Sequence, residues 1–224
     1  ATFGGGSTSG LLTLGEIVVS GNFSQDGTNS ATSFAPSGSH RTSMSSTAST
    51  TLAFNTLGAG AAGSHFALLN LSSATGGVTL GSNVLVDNTL ESTNAAALIV
   101  GGGNSVTSKA WSVTGLTVDN APMILNEGPA ILPQTFDNVT FQGFPTGPTT
   151  VALIDVSLAG SSLAPRTAIF NATQLQTTLG AGGFYVKVAS SNGLGVNLIM
   201  NGSNDPTGGF SRSQATPPAT IQYQ

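Results

Sequence analysis

Ionisable side chains are scarce in this chain. Asp, Glu, Lys and Arg make up 6% of its 224 residues, against about 25% in an ordinary globular domain. Acid–base and electrostatic catalysis depend on such groups, so the scarcity favours a structural or adhesive role over chemistry. Cysteine is absent, which excludes a disulfide framework and a thiolate metal site. No apolar run reaches the roughly 18 residues of a membrane-spanning helix; Ala95–Val100 is among the longest and stops at glycine. The five cationic residues are scattered from Arg41 to Arg212, so the sequence offers no basic patch for nucleic acid or an anionic membrane surface. No signal-peptide pattern is present. A start at Ala1 without Met reads as a processed or excised piece.

Gly, Ser, Thr, Ala and Asn fill the space that charge leaves. Hydrophobic residues are still 39% of the chain and the mean hydropathy is +0.21. Disordered chains combine low hydrophobicity with high net charge; here the net charge is −4, so the composition predicts a folded domain. Apolar runs of four to seven residues, bounded by Gly, Asn, Asp, Ser or Pro, carry the strand signal. They predict thirteen short strands, among them Ile17–Phe23, Phe66–Leu71, Val84–Leu90, Trp111–Val118, Phe136–Phe141 and Ala219–Tyr223. The one helical candidate is Ala172–Leu179, with Thr173 as N-cap.

Spacing narrows the architecture. Asp119, Asp137 and Asp155 each follow an apolar residue and recur every 18 positions, as residues on successive turns of a solenoid would. Ile17–Phe23 is similar to Val84–Leu90, and His65–Leu71 to Thr135–Phe141, at offsets of 67 and 70. These repeats predict an all-β right-handed parallel β-helix, with a β-sandwich as the alternative. Residues 1–144 form its repeat region and 145–224 a continuation or cap.

The runs Val18–His40, Phe66–Leu90 and Phe136–Phe144 resemble repeats in secreted or surface-anchored bacterial parallel β-helix proteins of the filamentous-haemagglutinin-like adhesin class. In that grammar a Val-x-Gly-Asn strand alternates with a Gly-Val-Thr-Leu-Gly turn. The resemblance covers roughly residues 11–144. It implies an extracellular or cell-surface β-solenoid that is structural or adhesive, not enzymatic, and that self-associates into a filament or surface layer without a cofactor. A polysaccharide-active enzyme or carbohydrate-binding module of the same fold is the alternative. Low charge suits stacked coils, because like charges would face each other at about 4.8 Å. Ladders of Asn, Ser and Thr can bond between coils instead.

Asp119, Asp137 and Asp155 are the weak candidates for catalysis. Stacked, they would form a carboxylate row of the kind that cleaves glycosidic bonds or binds calcium. The simpler reading places each at a strand edge or turn. Arg166 and Lys187 are the only basic partners between Asp155 and Arg212. His40 and His65 have no acidic neighbour within four positions, so each reads as a solvent-facing or hydrogen-bonded imidazole, not a metal ligand. Five Asn-x-Ser/Thr sequons, at Asn22, Asn70, Asn138, Asn171 and Asn201, are about as many as the composition gives by chance. The termini are the candidates for assembly. Ala1–Gly10 has only Phe3 as a large apolar residue and should be extended, either mobile or held by a neighbour. Ile221 and Tyr223 alternate with polar residues after Pro217-Pro218. They predict a strand that closes its own stack or adds to the next subunit.

Overall fold

The computed structural model describes residues 1–94, 97–125 and 134–143, together with the strands at 154–158, 166–171, 174–176, 186–190, 196–201 and 220–223. The strands in chain order are β1 (Thr2–Phe3), β2 (Glu16–Val19), β3 (Phe23–Gln25), β4 (Arg41–Met44), β5 (Thr50–Phe54), β6 (Leu68–Asn70), β7 (Val78–Leu80), β8 (Val84–Ser92), β9 (Leu98–Val100) and β10 (Val106–Thr114). There follow β11 (Thr117–Asp119), β12 (Met123–Leu125), β13 (Gln134–Asp137), β14 (Thr140–Gln142), β15 (Ile154–Leu158), β16 (Arg166–Asn171), β17 (Gln174–Gln176), β18 (Val186–Ser190), β19 (Val196–Asn201) and β20 (Thr220–Tyr223). Among the described residues the only helix is a single 3-10 turn, Gly60–Ala62.

The strands form two sheets. One has eight strands in the order β1-β3-β5-β7-β9-β11-β14-β17. The other has twelve, with the path β2-β4-β6-β8-β10-β13-β16-β19-β20 and a branch through β12, β15 and β18. All pairings among the described strands are parallel; Val106, for example, lies opposite Val84, and Thr117 opposite Leu98. Up to β11 the chain crosses from one sheet to the other and returns one layer further along, the connectivity of a coil. Coil length is not constant. Ser24 pairs with Thr2 and Ala53 with Ser24, whereas Val100 pairs with Thr79. The sheets continue across the expected boundary at residue 144, since β14 pairs with β17 and β13 with β16.

Alternation explains which side chains turn inward. In β5 Thr50, Leu52 and Phe54 are buried while Thr51 and Ala53 are half-buried. The early coils hold an aromatic cluster between the sheets. Phe66 is fully buried, with ring centroids 4.8 Å from Phe23, 5.7 Å from Phe34 and 5.1 Å from Phe54. Leu52, Val78, Leu80, Val86, Leu90 and Ile99 continue the core, and Trp111 stacks at 4.3 Å on Phe136. Between coils, short polar side chains bond as the composition suggests. Ser24 Oγ donates to Thr2 Oγ1 at 3.0 Å, Thr51 N to Asn22 Oδ1 at 2.9 Å and Ser105 N to Asn83 Oδ1 at 3.0 Å.

Four expectations are corrected by this register. The segment Ala172–Leu179 is not a helix where described: Gln174–Gln176 is a strand paired with Thr140–Gln142. Tertiary pairing along the sheet overrides a weak helical pattern. The Gly-Val-Thr-Leu-Gly stretch is not a turn, because Val78–Leu80 forms β7 between its glycines. The 67- and 70-residue offsets are not the stacking register: Ile17 stacks through Thr42 and Leu69 onto Leu90, not Val84. The 18-residue Asp spacing is not a coil either. Asp119 ends β11 in the eight-stranded sheet and Asp137 ends β13 in the twelve-stranded one, each followed by an Asn with positive φ (Asn120 at 47°, Asn138 at 51°). The shared grammar is a strand end with a left-handed Asn turn, used on alternate sheets. Asp155 lies inside β15.

Candidate functional site

The three aspartates are not brought together as a carboxylate row. Opposite Asp119 are Val100 and Gln142, opposite Asp137 are Thr114 and Asn171, and opposite Asp155 are Ile124 and Lys187. Gln142 Nε2 donates to Asp119 Oδ2 at 3.0 Å. Gly143, at φ +70, leaves room for the same carboxylate: a Cβ there would fall 2.0 Å from Asp119 Oδ1. Asp119 is thus a strand-end acceptor. Among the described residues no group of three or more His, Asp or Glu is placed to hold a metal ion.

Both histidines are buried, at 2% and 1% exposure. The ring of His65 joins two connections: Nε2 lies 2.8 Å from the Pro36 carbonyl oxygen, and Nδ1 3.0 Å from that of Gly58 and 3.2 Å from that of Gly63. His40 departs from its expected setting, since it is neither solvent-facing nor hydrogen-bonded at Nδ1. Its ring sits edge-on to Phe34 at 6.4 Å. Burial disfavours the charged form and holds its imidazole below the ordinary value.

The assembly candidates fall differently. Phe3 is engaged by its own chain: β1 pairs with β3, and the Phe3 ring lies 5.4 Å from Phe23 and 4.4 Å from Phe34. Ala1–Gly10 is therefore partly held by this chain's second coil, not by a neighbour. In the tail, Ile221 stands opposite Leu198 and Tyr223 opposite Met200, so the predicted strand forms and adds to this chain's own stack.

The feature that sequence reasoning missed lies on the twelve-stranded sheet. Arg41 Nη2 pairs with Glu91 Oε2 at 3.2 Å across β6, and Lys109 Nζ with Asp87 Oδ1 at 2.7 Å. Ser43 Oγ also donates to Glu16 Oε1. Around Asp87 the ladder slips. Ser108 faces Val86 but Ala110 faces Thr89, so Asp87 and Asn88 oppose the single residue Lys109. This is a bulge, which re-aims side chains. Beside it is an open depression of about 260 Å³ lined by Ser37, Gly38, Ala67, Asp87, Asn88 and Lys109. One signal was available: Asp87 and Lys109 have the same sequence separation as the stacked pair Val84 and Val106. The bulge itself leaves no mark in the sequence.

Comparison with protein-family models, curated proteins and solved structures gives no match. Among the described residues no helix is long and apolar enough to cross a membrane.

Proposed function

We propose that this chain is a right-handed parallel β-helix that serves outside the cell or at its surface as a non-enzymatic, structural and adhesive module, associating with further copies into a fibre or surface layer. The observation that carries this reading is the pair of parallel ladders with open edges. Among the described strands, β1 and β2 have a sheet neighbour on one side only, and so do β17, β18 and β20 at the other end. An unpaired edge accepts another strand readily. Because the described strands all run parallel, the two ends offer different edges, so pairing between copies would be head-to-tail and open-ended. Leu11, Leu14 and Val18, at 74%, 75% and 61% exposure, add apolar surface in the coil that contains β2.

Sedimentation velocity over a wide concentration range, with electron microscopy of the same samples, tests the proposal. Growing oligomers or filaments are expected, with shortening or loss after deletion of residues 217–224 or in Val18→Lys. A strictly monomeric protein at high concentration overturns it.

A further inference from the structure

We propose that the depression beside the Asp87–Lys109 bulge is a binding site for a neutral, hydroxyl-rich ligand the size of one sugar ring. Three independent observations meet there. The first is an open depression of about 260 Å³, room for one small ring resting against the sheet. The second is the bulge, where the β8–β10 ladder slips and the β6 side shifts with it, Phe66 facing Val86 but Leu69 facing Leu90. It places two consecutive polar residues, Asp87 and Asn88, where regular pairing would place one. The third is the 2.7 Å Asp87–Lys109 pair, two of the few charges in a chain whose coils stack without them.

The donor set defines the ligand. The Lys109 ammonium has three N–H groups and the Asp87 carboxylate two oxygens, and the pair uses one of each. The Asn88 amide and the Ser37 hydroxyl add groups of both kinds. Asn88 Oδ1 accepts from Thr89 Oγ1 at 3.2 Å, while its backbone N–H is fixed on the Ala67 carbonyl at 2.9 Å. A wall that offers donors and acceptors side by side matches hydroxyls, which do both. An anion would meet the Asp87 carboxylate and a cation the Lys109 ammonium, so the pair disfavours either. Among the described residues no aromatic ring lines the depression, so recognition rests on hydrogen bonds and millimolar affinity is expected.

The site does not depend on self-association, and the test is made in the Val18→Lys background, which is expected to weaken assembly and lies away from the site, so its failure leaves the assembly reading untouched. Methyl glycosides of glucose, galactose, mannose and N-acetylglucosamine are titrated while the backbone amide resonances are followed. At least one should move Gly38, Asn88 and Lys109 together with a Kd of about 1 mM. Asn88→Ala, which leaves the ion pair intact, should weaken that Kd at least tenfold, and Lys109→Met likewise. Thr79→Ala on the other sheet should leave it unchanged. The proposal is overturned if none of the four glycosides moves those amides, if inorganic phosphate moves them at lower concentration than any glycoside, or if Asn88→Ala and Lys109→Met bind as the parent does.

Discussion

The two sheets share one interior but have different outer faces. On the eight-stranded sheet, Thr51 stacks on Thr79 and Thr117 on Thr140, and among the described strands Asp119 is its only charged residue. On the twelve-stranded sheet Glu16, Arg41, Asp87, Glu91 and Lys109 lie within four strands, β2, β4, β8 and β10, and two ion pairs cross the coils. The first face shows that stacking requires no charge: small hydroxyl side chains and backbone ladders suffice. Charge on the second face is therefore an addition to the stack, and one of its two ion pairs sits where the ladder slips.

The largest expected effect would erase the contrast, because it acts on the shared interior. Phe66→Ala removes a fully buried ring that touches aromatic residues from β3, β5 and the connection before β4. It should cost about 3–5 kcal/mol in denaturant unfolding, with amide protection falling in both sheets together. Protection lost in one sheet alone would show that the sheets are separable units.

Next comes a change confined to the eight-stranded side. Gly101 follows β9, and a Cβ there would lie 2.3 Å from the Asn120 carbonyl oxygen and 2.5 Å from Ala121 Cβ. Gly101→Ala should cost about 1–3 kcal/mol, read as a lowered denaturation midpoint. A neutral result would mean that the turn after β11 yields freely.

Acid should act first beside the twelve-stranded sheet. His40 is held neutral by burial, so its folded-state pKa lies below the unfolded value of about 6.5. Its contribution is complete above that value and declines as pH falls below it, because the unfolded chain then binds the extra proton. Stability should fall from pH 7 toward pH 5 in the parent and stay flatter in His40→Leu. Asp26, whose carboxyl is lowered by hydrogen bonds from Thr28, acts only nearer pH 4 and does not mask this window. An equal slope in His40→Leu would refute the assignment.

The smallest effect sharpens the comparison. Lys109 is 41% exposed and Asp87 24%, so breaking their pair with Asp87→Asn should cost under about 1 kcal/mol, less at high salt. Thermal unfolding in low and high salt checks this. A loss above about 2 kcal/mol would mean that the charges hold the bulge rather than decorate it.

Strand positions were legible where apolar residues alternate, as at Val84–Leu90, because burial of one face imposes the period. Arg41–Met44 was missed: its inward Thr42 is polar and no apolar run marks it, yet it is fully buried between Ile17 and Leu69. The coil repeat was misread for a different reason. Register is set by pairing, and the connections between the sheets differ in length, so the spacing of Asp119 and Asp137 carried turn chemistry and not periodicity, while Asp155 lies inside a strand. The bulge and its depression were illegible because they exist only between coils.

The parallel stacking of β1, β3, β5, β7 and β9 also has a mechanical meaning. A pull that drags the chain ends apart along the stack would load the ladder bonds of the outermost coil before those behind it. Hydrogen bonds loaded one after another break at lower force than bonds sheared together, so such a rod would lengthen by peeling coils. One coil, such as that from Ser24 to Ala53, would release on the order of 100 Å of slack at about 3.3–3.6 Å per residue. The uneven connections would make the extension steps unequal, with the longest yield where the chain between sheets is longest.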